Sequence, residues 1–290
     1  MKIAVIGIGA VGSVIARELN MLDYDTVLFG RQPKSGFTIS EAGEEFFYPY
    51  RIETMDAYQG EPFDIVFIAV KATALNNISQ TFHHLINEGT EVILCENGMG
   101  YERYFNRPVP AVVYISGQKK NDIIEHFQDS TLLIEDNPHP NIDRLITALD
   151  KNPETELEIK KSEDFERIRY EKLLINLGIN SVTALSKNTS KIFDLESVTQ
   201  LTRSLLEEGV AIVNNEREIV SPEFTDRAMA IYKNYNPEMG TSMYYDVIAN
   251  AETEYIYIQK YLYGKKGNLE TPVLDVIVTL LEAYQYKRGY

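Results

Sequence analysis

Hydrophobic and polar positions divide the chain into two regions of different periodicity. Up to about residue 160, short apolar runs alternate with helical segments. From about residue 161, the apolar positions recur at helical spacing over longer stretches. The first pattern is typical of a parallel α/β sheet, and the second is typical of helices packed on helices. The sequence therefore predicts an α/β domain over residues 1–162 and an all-helical domain over residues 163–290.

The same periodicity predicts the individual elements. In the first region, strands are predicted over residues 2–6, 26–29, 63–70, 91–95, 111–116, 123–127, 131–134 and 157–159, and helices over residues 13–22, 75–86 and 142–149. In the second region, helices are predicted over residues 163–187, 195–218, 222–235, 239–262 and 272–286. The run 63–70 is apolar almost throughout, which is typical of a central strand buried on both faces.

The residues between the first predicted strand and the first helix are Gly7, Ile8, Gly9, Ala10, Val11 and Gly12. Strand, GxGxxG and helix in direct succession are typical of dinucleotide binding. Gly7 permits a tight turn, Gly9 lets the backbone approach a pyrophosphate, and Gly12 lets the helix pack close to the strand. The helix N-terminus adds free amides for the phosphates. The motif predicts a Rossmann-like dinucleotide-binding domain, with a glycine-rich turn that only packs as the alternative.

Cations follow the second predicted strand. Arg31 and Lys34 lie there, and no acid stands between Asp25 and Glu41. An NAD-binding chain is expected to place an acid at this point, where it bonds the ribose 2′-hydroxyl. Cations suit the 2′-phosphate of NADPH instead, and arginine can bind it through two parallel hydrogen bonds. The pattern favours NADPH over NAD, although two solvated loop charges would give the same sequence.

Two further polar residues follow strands of the predicted sheet. Lys71 comes directly after the run 63–70, and Asn97 comes after the strand at 91–95. Ligands of parallel sheets bind beyond the carboxyl ends of the strands, so both residues belong to the expected binding edge. Asn97 can bond a nicotinamide ribose or a substrate oxygen. The alternative is an Asn-Gly turn without a ligand.

A polar stripe is predicted on the first helix of the second region. Lys172, Asn176 and Asn180 recur every four residues, so they share one face of a helix whose other faces are apolar. Burying an ammonium and two amides is costly unless they have partners, on the order of 1–3 kcal/mol for each unsatisfied group. The stripe is either a functional face, a stripe exposed at the surface, or a set of core amides bonded to neighbouring backbone, and the pattern alone does not choose between them.

The segment 240–258 contains the remaining unusual residues. Ser242 and Glu254 lie 12 residues apart, which on one unbroken helix places them about 120° apart around the axis. Both can face one site only if the helix breaks near residues 249–252. A solvated helix charge is the alternative reading of Glu254.

Composition and charge narrow the class of protein. The 290 residues carry 43 acids against 28 Lys and Arg, a net charge of −15, which disfavours nucleic acid and anionic membranes as partners. The single cysteine, Cys95, excludes an intrachain disulfide, and neither a signal peptide nor an 18-residue apolar run is found. The four histidines show no metal-ligand spacing. We therefore expect a cytoplasmic protein that binds neither nucleic acid nor a membrane and holds no metal.

These motifs, in this order and spacing, resemble the ketopantoate reductases (2-dehydropantoate 2-reductases) over essentially the whole chain. The matching pieces are GIGAVG at 7–12, Arg31, Lys71, Glu96-Asn97-Gly98, the helix carrying Tyr170, Lys172, Asn176 and Asn180, and Ser242, Asp246, Thr253 and Glu254. The resemblance implies an NADPH-binding Rossmann-like domain and a helical substrate and catalytic domain. The sequence leaves the oligomeric state open, with a homodimer as one of the assemblies it allows.

The resemblance also implies roles for individual residues. Lys172 is similar to the general acid of the family. Asn176, Asn180 and Ser242 are similar to its substrate ligands, Asn97 to a contact with both cofactor and substrate, and Glu254 to a cofactor contact. The implied reaction is reduction of a small 2-oxo acid, with ketopantoate to pantoate as the leading case.

Several positions depart from the family pattern, all on the substrate side. Met239 and Ser190 stand where the family has asparagines, Ala251 where it has a cation, and Ile256 and Gln259 where it has Asp and Asn. These departures leave open a reductase of another 2-oxo acid. A low-turnover NADPH sensor is a second alternative. The retained Lys172, Asn176, Asn180 and Ser242 argue against it, because a sensor needs only the nucleotide-binding half.

Overall fold

A computed structural model of the protein describes residues 1–120 and 122–286. The chain forms two compact units, one of residues 1–96 and 101–165, the other of residues 97–100 and the chain from residue 166 onward. The first unit is α/β with a parallel sheet and the second is helical, which confirms the predicted fold class. The division at residues 162 and 163 stays a prediction, because a compact unit need not fold independently. Residues 287–290 of the predicted second domain lie outside the described residues.

A parallel sheet organises the first unit. The helices and strands of this unit, in chain order, are β1 (Lys2–Ile6), α1 (Ala10–Leu19), β2 (Asp25–Phe29), β3 (Phe37–Glu41), β4 (Glu44–Tyr48), β5 (Ile52–Glu53), β6 (Ile65–Ile68), α2 (Leu75–Thr81), β7 (Glu91–Leu94), β8 (Val109–Pro110), β9 (Val112–Lys120), β10 (Ile123–Glu135), α3 (Pro140–Lys151) and β11 (Glu158–Ser162). The sheet has the order β5-β2-β1-β6-β7-β8. Ile6 pairs with Phe29 on one side and with Ile68 on the other. The loops that follow β1, β2 and β6 therefore leave the sheet at one edge.

A second, mixed sheet completes this unit. It has the order β11-β10-β3-β4, and β9 pairs antiparallel with β10. The two strands predicted at 123–127 and 131–134 are one long strand, β10, whose register shifts between His126 and Ser130. Bulges of this kind interrupt the alternation of side chains, which is why the sequence pattern read as two strands.

A buried ion pair fixes the end of α1. The Arg17 guanidinium donates to Glu18 at 2.6 Å and also to Glu41 of β3, while Glu18 accepts the backbone N–H groups of Glu156 at 2.5 Å and Leu157 at 3.3 Å. Arg17 and Glu18 are 3% and 1% exposed. Because buried charges are tolerated only when they are paired and hydrogen-bonded, these contacts determine where the C-terminal end of α1 lies.

The helices of the second unit are α4 (Phe165–Ser186), whose first residue still belongs to the first unit, α5 (Glu196–Val213), α6 (Phe224–Asn234), α7 (Ser242–Ile248), α8 (Gln259–Tyr263) and α9 (Pro272–Tyr286). Its core surrounds α4, where Leu173, Leu174, Leu177 and Ile179 are all buried. The predicted apolar faces of this helix are thus confirmed. No helix in residues 1–120 and 122–286 has the length and apolarity needed to cross a bilayer.

The helix predicted over residues 239–262 is wrong as a single element. The Thr241 side chain caps α7 by accepting the N–H of Tyr244, and the helix ends at Ile248. Asn250 then has a left-handed φ of 56°, and a short 3-10 helix, Tyr255–Tyr257, precedes α8. The break lies in the interval that Ser242 and Glu254 require if they are to face one site.

Candidate active site

The glycine loop after β1 leaves part of its backbone open to a ligand. Gly7 has a φ of 98°, and a Cβ on Gly12 would collide with the carbonyl oxygen of Gly7, so both positions exclude a side chain. A Cβ on Gly9 would meet no atom of the described residues within 4 Å. Gly9 is also the N-cap of α1, with no capping side chain and no acid in the first turn among the residues described. A free helix N-terminus beside an accessible backbone fits the pyrophosphate of a dinucleotide.

The end of β2 lies beside this loop. The N–H of Gly7 donates to the carbonyl of Phe29 at 2.9 Å, and the N–H of Gly30 donates to Glu53 at 2.8 Å. These bonds continue the parallel register past the last residues of both strands. Arg31, the next residue after Gly30, is exposed, which leaves its guanidinium accessible to a ligand at this edge.

Lys34 has a different environment from Arg31. Its ammonium lies 3.0 Å from the carboxylate of Asp122, which also accepts from Lys119 at 2.9 Å. The hydrogen bonds from Lys119 and Lys34 lower the pKa of Asp122 to about 2, so this carboxylate stays ionised. Asp122 therefore competes with any anionic ligand for Lys34. Of the two cations after β2, Arg31 is the better candidate for a 2′-phosphate.

The other two predicted edge residues fall in different units. Lys71 follows β6 in the first unit, is exposed, and is the N-cap of a short 3-10 helix, Ala72–Ala74. Asn97 follows β7 but belongs, with Gly98, Met99 and Gly100, to the second unit.

The three polar residues of the stripe on α4 differ in how deeply they are buried. Lys172 and Asn176 are half-buried, and Asn180 is 3% exposed. Burial lowers the pKa of the Lys172 ammonium from 10.5 to about 8, and the carboxylate of Glu254 acts against that shift. An ammonium with a pKa near the working pH is suited to give up a proton during a reaction.

Two buried polar contacts hold the segment 240–263 on α4. The hydroxyls of Thr183 and Thr241 lie 2.9 Å apart, directly before Ser242 at the first turn of α7. Gln259, which is fully buried, donates from Nε2 to the hydroxyl of Ser181 at 2.9 Å. The start of α7 and the start of α8 are therefore both fixed to the helix that carries Lys172.

Ser181 and Thr183 were not predicted from the sequence, although they hold α7 and α8 against α4. The available signal was the run Asn180-Ser181-Val182-Thr183, in which polar residues continue past the stripe on an otherwise buried helix. Their partners lie 78 and 58 residues away along the chain, so spacing alone could not reveal the contacts.

The predicted site residues thus form two groups, each within one unit. The glycine loop, Arg31 and Lys71 belong to the first unit. Asn97, Lys172, Asn176, Asn180, Ser242 and Glu254 belong to the second. The first group can hold a dinucleotide, and the second offers a cation, three amides, a hydroxyl and a carboxylate.

Two of the histidines form hydrogen bonds through their rings to nearby groups of the first unit. The His126 ring lies 3.0 Å from the Glu41 carboxylate and 3.1 Å from the carbonyl of Asp129, and His84 lies 3.0 Å from the carbonyl of Met55. In the part of the chain that the structure describes, no group of three or more His, Cys, Asp or Glu side chains could hold a metal ion.

Comparison with known families gives matches in both halves of the chain. The family model for "Ketopantoate reductase PanE/ApbA" matches residues 3–138, and the model for its C-terminal part matches residues 164–285. A 2-dehydropantoate 2-reductase of Mycobacterium tuberculosis is 25% identical over 293 residues, which cover 97% of each protein.

Solved structures agree with these sequence matches. The dimeric ketopantoate reductase from Staphylococcus aureus is 35% identical, with a TM-score of 0.92 and 99% of each chain covered. D-mandelate dehydrogenase, solved with NADH and anilino(oxo)acetate, has a TM-score of 0.86 over 100% of each chain at 20% identity. At that identity the second likeness shows the fold alone.

Proposed function

The chain belongs to the ketopantoate reductase family, a family of oxidoreductases, and from that membership we propose that it reduces a small 2-oxo acid with NADPH. The leading reaction is 2-dehydropantoate (ketopantoate) to pantoate, the activity named for its relatives. The observation that carries the proposal is Lys172, a half-buried residue of α4 whose ammonium has a pKa of about 8 and interacts electrostatically with the carboxylate of Glu254.

The family implies a nicotinamide cofactor, and the residues of the first unit fit one. Gly7, Ile8, Gly9, Ala10, Val11 and Gly12 would hold the pyrophosphate at the N-terminus of α1. Arg31 would bind the 2′-phosphate of NADPH, with Lys71 and Glu254 as further contacts. When bound, the reduced nicotinamide supplies the hydride.

Lys172 would act on the carbonyl oxygen of the substrate. An ammonium at that oxygen stabilises the charge that develops as the carbonyl is reduced, and then donates its proton. Glu254 acts against the fall in the pKa of Lys172 that burial causes, so the lysine remains protonated near neutral pH. Asn97, Asn176, Asn180 and Ser242 would hold the remaining polar groups of the substrate without adding a second positive charge.

A relative that acts on a different 2-oxo acid is the second candidate. It is favoured by two of the departures from the family pattern. Ser190 is buried and donates to the carbonyl of Asn236 at 2.6 Å, so its hydroxyl is engaged within the fold. Gln259 is fully buried and bonded to Ser181. Neither position offers the asparagine that the family pattern has there.

The experiment that tests the proposal is steady-state oxidation of NADPH against a panel of 2-oxo acids that includes ketopantoate. We expect the highest kcat/KM for ketopantoate. A higher value for another member of the panel would favour the second candidate. Absence of turnover with every member would contradict the proposed function.

We also propose that the protein is a homodimer, because its relative from Staphylococcus aureus, 35% identical, is dimeric. Sedimentation or light scattering at several concentrations measures the mass directly. A mass equal to that of one chain at every concentration would contradict the homodimer. It would leave the proposed reaction unaffected.

A further inference from the structure

The loop that carries Asn97 is attached to the helical unit at its backbone. The N–H of Met99 donates to the carbonyl of Tyr257 at 2.8 Å. The Met99 side chain is 8% exposed and packs in the core of the helical unit. Residues 97–100 therefore belong to the second unit by their contacts, although the residues on either side belong to the first.

Two glycines bring this loop into close contact with the segment after Glu254. Gly98 and Gly100 have φ values of 93° and 92°, which other residues rarely adopt. A Cβ on Gly98 would lie 2.5 Å from the carbonyl oxygen of Tyr257, and a Cβ on Gly100 would lie 2.8 Å from the Tyr261 ring. At both positions the helical unit occupies the space that a side chain would need.

The anchoring residues connect directly to the proposed catalytic groups. The N–H of Tyr257 donates to the carbonyl of Glu254 at 2.9 Å, so the anchor and the carboxylate lie in one turn. Burial and the neighbouring Tyr170, which lies two residues before Lys172 on α4, raise the pKa of Tyr261. The loop is thus connected through Tyr261 to the helix that carries Lys172, and through Tyr257 to the segment that carries Glu254.

We infer that Gly98 and Gly100 are positioning residues, which hold Asn97 in a fixed relation to Lys172 and Glu254 through Tyr257 and Tyr261. The inference rests on the proposed function, because it assigns these glycines an effect on catalysis that passes through Asn97. It predicts that the helical unit determines the position of Asn97, although the strand that precedes Asn97 in the chain belongs to the first unit.

A double-mutant cycle on the full-length protein tests this inference. Gly98→Ala, Asn97→Ala and the double variant are compared for kcat/KM with the best 2-oxo acid of the panel. A displacement of about 1 Å at a reacting group can cost up to roughly 100-fold, and we expect Gly98→Ala to lower kcat/KM at least about tenfold. In the Asn97→Ala background the same glycine change should lower kcat/KM less than about threefold, because the group it positions is already absent.

Gly43→Ala is the matched control. Gly43 has a φ of 87°, close to that of Gly98, but lies in the turn between β3 and β4, where a Cβ would meet no described atom within 4 Å. It carries the same backbone strain without the contact, so kcat/KM should stay within about twofold of the wild type. If Gly98→Ala does not fold, as judged by circular dichroism and thermal midpoint, Gly100→Ala replaces it in the cycle, since its neighbour is a ring that can move.

Each outcome has a distinct meaning. Equal losses from the glycine change in both backgrounds would overturn the inference, because the effect would then not pass through Asn97. A Gly98→Ala variant with wild-type kcat/KM beside an impaired Asn97→Ala variant would overturn it too. If Asn97→Ala itself is unimpaired, the role proposed for Asn97 fails, while turnover by the wild type still supports the proposed reaction.

Discussion

The lowered pKa of Lys172 predicts how turnover should depend on pH. The proton donor must be protonated to act, so the rate should fall as pH rises through the pKa of about 8. At pH 7 roughly ten ammonium groups are protonated for each neutral one, and at pH 10 roughly one in a hundred remains protonated. An ordinary exposed lysine, with a pKa of 10.5, would keep the rate nearly constant up to pH 10.

The assay is initial-rate oxidation of NADPH from pH 6 to about 10.5, with kcat/KM measured at each pH for the best substrate. We expect kcat/KM to decrease about tenfold per pH unit above pH 8. Glu254→Gln should move that decrease to lower pH, because the carboxylate that opposes the effect of burial is removed. Lys172→Ala should lower kcat by at least about 100-fold and abolish the decrease.

Stability provides a check that does not depend on turnover. The folded-state pKa of Lys172 lies below the unfolded value of 10.5, so between about pH 8 and 10.5 the unfolded chain binds more protons. This lysine therefore contributes a free energy of unfolding that increases with pH across that window, and Lys172→Met should remove the increase. A rate that stays level through pH 10, or a Lys172→Ala variant with near wild-type turnover, would remove Lys172 from the mechanism.

Three further predictions concern other groups. NADPH should bind at least tenfold more tightly than NADH, about 1.4 kcal/mol, and Arg31→Ala should erase most of that preference in a fluorescence titration; equal affinity of the wild type for both would contradict it. Ser242→Ala and Asn180→Ala should raise KM for the 2-oxo acid while Kd for NADPH stays nearly constant, and loss of NADPH binding with an intact KM would count against their placement. Arg17→Met should lower the free energy of unfolding by about 3–5 kcal/mol in urea, because the buried Glu18 loses its partner; a loss below about 1 kcal/mol would show that Glu18 is neutralised by other means.

The parts of the fold that the sequence predicted are those set by local pattern. The first strand, Lys2–Ile6, and the last helix, Pro272–Tyr286, have the predicted bounds, since buried apolar residues recur there without interruption. The β3–β4 hairpin was not predicted, although Ala42 and Gly43 both have positive φ and link two alternating segments. Its sequence, with two adjacent exposed phenylalanines at 46 and 47, hides the alternation.

The site residues could be proposed from motif and spacing, but their arrangement depends on contacts distant in sequence. The Thr241 cap sets the start of α7, and the left-handed Asn250 follows the break after Ile248; neither interrupts the apolar periodicity that predicted one helix. The attachment of Met99 to Tyr257 joins residues far apart in the chain. A pattern read along one segment contains no information about a partner of that kind.

The discontinuous second unit limits how this protein can be recombined with its relatives. A single crossover between residues 165 and 166 would exchange the long helical segment but leave residues 97–100 with the other parent. Gly98 and Gly100 would then face foreign residues at the positions of Tyr257 and Tyr261, which in this protein lie 2.5 and 2.8 Å from where a Cβ on each glycine would stand. A working chimaera therefore needs three junctions rather than one, with four residues from the middle of the first half carried along with the helices.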